Sequence, residues 1–265
     1  MKDLDGELKK EDQMNQKELK NSKVSIILPH YNNASFVKDS IKSVINQTYR
    51  NWELIIIDGN SNLNSKKVIS QFKKNKKIKI TWVKSNNGAG YNRNLGISKS
   101  KSNYIAFIDS DDVWKKNKLK KQITFMIKNK CDFSYTSYAT MNVDKKILRK
   151  IKPPLKYTFN TFIKNTTIAT STMIVKRSVI KDIGFTHANS CDDYYFKCRI
   201  LKKIKFALGL GEVLTNFRIS KGSTNSKKLR NVYWVWKINR KLNKLNLLDS
   251  LVSLLFISIN SLKKN

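Results

Sequence analysis

From Val24 onward, short unbroken apolar runs alternate with stretches in which apolar residues recur every three or four positions. Residues 24–28 (VSIIL) predict a strand closed by Pro29, and Val37, Ile41, Val44 and Ile45 fall at helical spacing after it. Residues 52–57 (WELIII) predict a second strand ending in Asp58-Gly59. A helix over about 66–74 and a strand over 78–83 follow, then a loop, SNNGAG, that opens a helix running to about Ser100. Residues 104–108 (YIAFI) predict a fourth strand, and Leu119, Ile123, Met126 and Ile127 mark another amphipathic helix. Strand alternating with helix in this way implies an α/β fold: a mostly parallel sheet with right-handed crossovers, flanked by helices.

Beyond Phe133 the pattern is coarser. Residues 132–140 suit a strand, 141–165 look irregular, and 172–175 predict a strand followed by a helix over 178–183. Cys191-Asp192-Asp193 opens an aromatic helix to about Ile200. From Leu229 the chain carries Tyr233, Trp234 and Trp236 among Lys and Arg, then Leu245, Leu248, Val252, Leu255, Ile259 and Leu262 at helical spacing. That is the composition of an interfacial helix, and its apolar run falls short of the roughly twenty residues a span needs. A helix packed on the domain or in a dimer fits the same pattern. Residues 1–22 are polar, with neither the apolar core of a secretory peptide nor an anchor. The expected organisation is therefore a flexible extension over 1–22, one domain over 23–225 and a basic amphipathic segment over 226–265.

The candidate chemistry gathers at strand ends, where open α/β sheets bind ligands. The fourth strand stops at Asp109, Asp111 and Asp112, which repel one another unless a cation neutralises them. Hard oxygen ligands suit Mg2+ or Mn2+, and these suit a diphosphate; a surface turn or a helix cap also favours Asp. Pro29 ends the first strand rigidly, while Tyr31 and Asn32 offer a ring face and an amide. Asn87, Gly88 and Gly90 let backbone N–H groups approach a phosphate or ribose at a helix start, and Arg93 adds a charge there. Packing is the alternative for Asn94 and Gly96, and for Trp114. Arg199 reads as an ion-pair partner, and His30 and His187 as bystanders.

Taken in order, VSIILPHYN, SVINQTYRNWELIIIDGNS, NNGAGYNRNLGI, YIAFIDSDDVW, IGF and DDYYFKCRI resemble the family 2 glycosyltransferases, inverting enzymes with the A-type, Rossmann-like nucleotide-sugar-binding fold. The resemblance runs over about 24–223. It implies a nucleoside diphosphate sugar donor and a divalent metal at Asp109-Ser110-Asp111. Asp111 is then the direct ligand, Asp109 a ligand or ribose partner, Ser110 a donor contact, and Asp112 supports them from behind. Asp58 would accept the imide hydrogen of a uracil ring. Asp193, with Asp192 before it, matches the acidic pair that supplies the general base, which takes the acceptor hydroxyl proton. Arg218 would reach the diphosphate as the Lys221-Gly222-Ser223 loop closes. Gly59 and Leu63 stand where relatives often carry Asp, leaving the base identity open, and Ser220 stands where many carry His.

A net charge of +34 invites a polyanion reading, yet the lysines are spread along the whole chain with abundant Asn and Ile, as compositional drift would produce. Nucleic acid is accordingly not the expected partner; an anionic membrane surface is another. Three cysteines without metal-ligand spacing exclude a disulfide or zinc framework and suit a reducing compartment. The expectation is a metal-dependent transferase of cell-envelope polysaccharide or lipopolysaccharide synthesis. It would move a sugar, from a UDP-sugar by preference, onto a glycan or lipid-linked acceptor, peripherally at the cytoplasmic face of the inner membrane and with a homodimer in view. The alternative is a basic nucleic-acid- or membrane-binding module with an inactive transferase-like fold.

Overall fold

Strand β1 (Val24–His30) is buried at every position, and so is β2 (Trp52–Asp58) beside it. This is why both are rich in Val, Ile and Leu, with Ser25 and Glu53 as polar interruptions: helices cover the two faces of the sheet. The computed structural model describes residues 13–14, 16–186, 191–219 and 228–262. His187, Ser220 and the Lys221-Gly222-Ser223 loop lie outside them.

Helix α1 (Ala34–Ile45) joins β1 to β2, α2 (Leu63–Ser70) leads to β3 (Ile78–Trp82), and α3 (Gly88–Lys99) leads to β4 (Tyr104–Phe107). Strands β2 and β4 flank β1, β3 lies outside β2, and all four run parallel. Even-numbered residues of β1 bond towards β2 (Val24 N, His30 O) and odd ones towards β4 (Lys23 O, Ile27 O). Pro29 therefore lacks its N–H on the side β4 has already left, and β1 continues one residue further than the sequence suggests.

The short β5 (Val113–Trp114) and α4 (Lys118–Lys128) come next, followed by β6 (Phe133–Met141). Residues expected to be irregular form β7 (Ile147–Ile151), β8 (Lys156–Tyr157) and α5 (Phe159–Phe162). A 3-10 turn at Thr170–Thr172 precedes β9 (Ile174–Lys176) and α6 (Arg177–Ile180); α7 (Asp192–Lys203) and β10 (Ala207–Arg218) complete the domain. Among the described residues the sheet has ten strands, ordered β3-β2-β1-β4-β9-β6-β10-β5, with β7 on β6 and β8 on β10. Beyond β4 it becomes mixed: β9 is antiparallel to both neighbours and β6 is parallel to β10. The β1–β4 half is thus the parallel sheet that the sequence implies.

Side chains alternate between two cores. Val24, Ile26 and Leu28 join α1 and α4 on one face, while Ile27, Ile105 and Phe107 meet α6, α7 and Phe185 on the other. Gly96 lets α3 lie against β1, since a Cβ there would come within 2.5 Å of Ile27 Cγ2. Asn94 bonds both ways with Phe185, at 2.7 and 2.6 Å, so both residues pack. Trp114 is 3% exposed, its Nε1 donates to Ser171 O at 2.8 Å, and it too packs. The N-terminal extension is docked rather than loose at its end: Leu19 packs on the second core and Tyr49 Oη donates to Leu19 O.

Helix α8 (Lys228–Lys237), a π-turn over Ile238–Leu242 and α9 (Leu247–Leu262) form the C-terminal extension. Val235 and Ile238 enter the core beside α7. Among the described residues no helix is long and apolar enough to cross a membrane.

Glu53, on β2, gives a test of how the parallel half is held. Burial alone would raise its carboxyl, but hydrogen bonds from Lys79 and Ser25 and the charge of Lys23 hold it down to about 2. A carboxyl depressed on folding stabilises above its unfolded value near 4.5, and that stability is lost as pH falls through about 2. Both lysines are substantially exposed, so screening trims the gain. We expect Glu53→Gln to lower stability by about 1–2 kcal/mol at pH 7. In urea denaturation the gap to wild type should close as pH drops from 4.5 towards 2.

Candidate active site

Three strand ends and two helix starts meet at one rim of the sheet. After β1, Tyr31 is 47% exposed and Asn32 turns the chain with φ 47°. Asn32 accepts from Asn62 N at 2.8 Å and its own N–H donates to Ser61 Oγ at 2.9 Å, pinning the β1 loop to the β2 loop. Asn is among the few residues that tolerate this conformation.

Asp58, at the end of β2, is completely buried. Its Oδ2 faces His30 Nδ1 at 2.8 Å and its Oδ1 accepts from Ser61 N at 2.9 Å. Burial pushes the carboxyl up, but the His30 and Ser61 hydrogen bonds outweigh it and keep it below the ordinary Asp value. Asp58 therefore does not present an open acceptor to a base in this conformation; it locks the floor of the slot. His30 is its partner, and not a bystander.

At the start of α3, Asn87 and Gly88 are exposed and Gly88 has φ +86°, a conformation that suits glycine. One turn further, Arg93 is nearly buried, with Nη2 2.6 Å from Asp109 Oδ1 and its guanidinium 5.2 Å from the Phe185 ring. Burial opposes its charge, yet Asp109, Asp192 and Asp193 more than compensate and raise it. The expected phosphate contact is thus preceded by an ion pair to Asp109.

The acidic turn after β4 is anchored on every side. Asn33 Nδ2 donates to Ser110 Oγ at 2.9 Å, and Asp109 N donates to Ser171 Oγ at 3.0 Å. Asp112 is fully buried and accepts from Arg218 N at 2.9 Å. Asp109 and Asp111 remain partly open to the cleft. Burial, then the charge of Asp109, pushes Asp111 up to about 6. Burial together with Asp109 and Asp111 raises Asp112 well above the ordinary range. Arg93 and Arg218 offset only part of the repulsion within the cluster, and a divalent cation would neutralise more of it. Among the described residues no three His, Cys, Asp or Glu side chains converge on one point, so a cation here would need ligand oxygens as well. Two carboxylates completed by diphosphate oxygens form a donor set that fits Mg2+ or Mn2+.

Arg218 differs from expectation. Its side chain has no exposed surface; Nε donates to Asp111 O at 2.9 Å, and Nη1 to Val143 O at 2.9 Å and Asn142 O at 3.2 Å. The guanidinium also lies 4.3 Å from the Phe36 ring and 3.5 Å from Asp39. So engaged, it clamps the acidic turn to the β6–β7 connection.

Across the rim, α7 begins with Asp192 and Asp193. Asp192 packs so tightly over Gly90 that a Cβ there would collide with its carboxylate. Burial and the charge of Asp193 raise Asp192 despite Arg93. Asp193 Oδ2 receives Lys197 Nζ at 2.7 Å, one turn along the helix, and Thr170 Oγ1 at 3.4 Å. Burial alone would raise its carboxyl, but Lys197 and then Arg93 hold it below the usual value. Arg199 departs from the expected ion pair: among the described residues its bonds go to backbone carbonyls, Gly184 O at 3.0 Å and Asp182 O at 3.4 Å.

The two acidic sets lie close together. Arg93 acts electrostatically on Asp109, Asp111, Asp192 and Asp193 together. The adjacent residues Thr170 and Ser171 touch Asp193 and Asp109 respectively. Sequence reasoning missed His30, Thr170, Ser171 and Lys197. Only Lys197 left a legible trace, the Asp-Lys spacing of one helical turn.

Comparison with known proteins agrees with this geometry. The model of the family described as Glycosyl transferase family 2 matches residues 25–184. The chain is similar to the putative teichuronic acid biosynthesis glycosyltransferase TuaG of Bacillus subtilis, 32% identical over 91% of this chain and 96% of that protein. It is similar also to the Escherichia coli UDP-Glc:alpha-D-GlcNAc-diphosphoundecaprenol beta-1,3-glucosyltransferase WfgD, 34% identical over 81% of this chain and 84% of that one. Among solved structures, the mannosyltransferase PcManGT of Pyrobaculum calidifontis, in complex with GDP-Man and Mn2+, superposes with a TM-score of 0.69 at 13% identity, over 88% of this chain and 70% of that one. That likeness bears on the fold alone.

Proposed function

The chain belongs to glycosyl transferase family 2, and on that premise we propose that it is a metal-dependent inverting hexosyltransferase that moves a sugar from a UDP-sugar to a hydroxyl of a lipid-linked or surface-glycan acceptor, working peripherally at the cytoplasmic face of the inner membrane. The observation that carries the reading is the pairing of two acidic sets across Arg93 and the Thr170–Thr172 turn. The UDP-sugar and the diphosphoundecaprenol-linked acceptor are suggested by the WfgD relative, whose name specifies both.

In this reading Asp193 accepts the proton of the acceptor hydroxyl as its oxygen attacks the anomeric carbon from the face opposite the diphosphate. Its low proton affinity keeps it ionised through the neutral range. Lys197 and Thr170 fix its orientation. Asp109 and Asp111 would hold the cation, which when bound neutralises charge growing on the departing diphosphate. Arg93 then exchanges part of its pairing with Asp109 for a phosphate oxygen. The exposed residues Asn87 and Gly88 open α3 towards the donor, the Gly88 N–H being held by Asn86 Oδ1 at 3.1 Å until a ligand competes for it. Tyr31 offers its ring face to the base beside the Asp58–His30 floor, with Pro29 and Asn32 setting the loop.

A panel of UDP-, GDP- and TDP-sugars assayed with Mn2+ or Mg2+ tests this. We expect acceptor-stimulated release of UDP that is abolished by EDTA and restored by metal. Release unaffected by EDTA would overturn the metal assignment, and no release from any donor would overturn the activity.

A further inference from the structure

Helix α9 faces the wrong way for water. Its buried side carries Ser250 and Ser253, with Ser253 Oγ donating to Ile163 O at 2.6 Å and accepting from Asn239 Nδ2 at 2.9 Å. Asn260 Nδ2 donates to Lys164 O at 3.0 Å, and Leu254 and Ile257 pack on the core. The opposite side exposes Leu247, Leu248, Leu251, Leu255, Phe256 and Ile259, between 39 and 70% each. A surface helix ordinarily reverses this arrangement, polar outward and apolar inward. So continuous a large-apolar stripe marks a surface that is covered in use.

Charge decides what covers it. Just ahead of α9, Arg240, Lys241 and Lys244 are exposed, and Tyr233 is 58% exposed beside Trp234, over which Lys237 lies at 4.7 Å. Asp249 is the one acidic residue among the described residues from 228 to 262. Two copies of this chain meeting through α9 would set these cations against each other, on molecules that already carry +34 each. An anionic lipid surface complements both features: acyl chains receive the stripe, head groups the Lys and Arg, and aromatic rings sit at the boundary.

We infer that α9 lies in the plane of an anionic bilayer, its Leu247-to-Ile259 face inserted and the basic residues of the preceding turn on the head groups. The fold ties this surface to the acceptor end of the cleft. Asn239 Oδ1 accepts from the Tyr194 hydroxyl at 2.7 Å, and Tyr194 follows Asp193 on α7. Through Asn239 of the π-turn, which bonds both Tyr194 and Ser253, the helix that meets lipid is thus linked to the helix that carries the proton acceptor. That alignment, though not the lipid binding itself, rests on the transferase reading above.

The test is flotation of the full chain with vesicles of phosphatidylcholine, with or without phosphatidylglycerol. Wild type should float with the anionic vesicles and much less with neutral ones. The double variant Leu251→Glu, Leu255→Glu should lose at least about tenfold in partitioning while its thermal unfolding stays that of wild type, because both side chains point outward. Lys241→Glu with Lys244→Glu should weaken binding to anionic vesicles and leave the residual neutral binding unchanged. Anionic binding untouched by the leucine changes would mean charge alone, and would overturn the inference. So would a wild-type dimer in light scattering that the leucine changes dissociate, since a second copy would then be the occupant. Flotation needs no turnover: vesicle binding without activity would count against the transferase reading only, and activity on a soluble acceptor without vesicle binding against this inference only.

Discussion

Asp193→Asn is expected to lower kcat by about 10²- to 10⁴-fold, the usual worth of a positioned general base, while the dissociation constant for the donor with metal stays near that of wild type. The asparagine keeps the shape of the carboxylate, and the donor-side groups Asp109 and Asp111 stand on a different turn. The amide cannot take a proton and cannot balance Lys197, whose side chain is only 3% exposed. A modest fall in melting temperature should therefore accompany the kinetic loss. Lys197→Met separates the two effects. With the 2.7 Å ammonium gone, Asp193 loses the largest influence holding its proton affinity down and its carboxyl rises. The acid limb of the kcat profile should then move to higher pH, with transfer retained on the alkaline side. Turnover of Asp193→Asn near the wild-type rate would remove Asp193 from its role.

Arg218→Met should cost about 3–5 kcal/mol in equilibrium unfolding, the scale of breaking a buried charged network. The substitution leaves the carbonyls of Asp111, Asn142 and Val143 without their donor and the Phe36 face without its cation. Arg218→Lys should recover less than half of that, because one ammonium cannot reproduce a planar fork that serves several acceptors. Both variants should also weaken metal-dependent donor binding, through loss of shape in the turn that presents Asp111. If Arg218→Lys were as stable as wild type and defective only in donor binding, the guanidinium would be a diphosphate ligand after all. Urea denaturation alongside donor titration distinguishes the two.

The donor half was legible because β1, β2 and β4 are buried on both faces and their sequences admit almost nothing polar, so strand, turn and helix follow in plain alternation. The other half was not. All but the last residue of β7 is exposed, and β10 mixes two glycines and Glu212 with apolar residues and shifts register against β6; neither shows a clean period of two. The acidic residues were found because such clusters need a reason to exist at a strand end. Their supports were not: Thr170 and Ser171 are ordinary in sequence and matter only because the chain brings a 3-10 turn between two loops far apart along it. Arg218 and Asp58 show the converse case. A charged side chain beside a candidate site reads as a ligand contact, yet both turn inward to satisfy neighbours, and only the depth of burial separates the roles.

The turn at Thr170–Thr172 serves as a common abutment. The Ser171 hydroxyl bears on Asp109 and that of its neighbour Thr170 on Asp193, so a single peptide unit touches both acidic sets. Any displacement of that unit changes both halves in step.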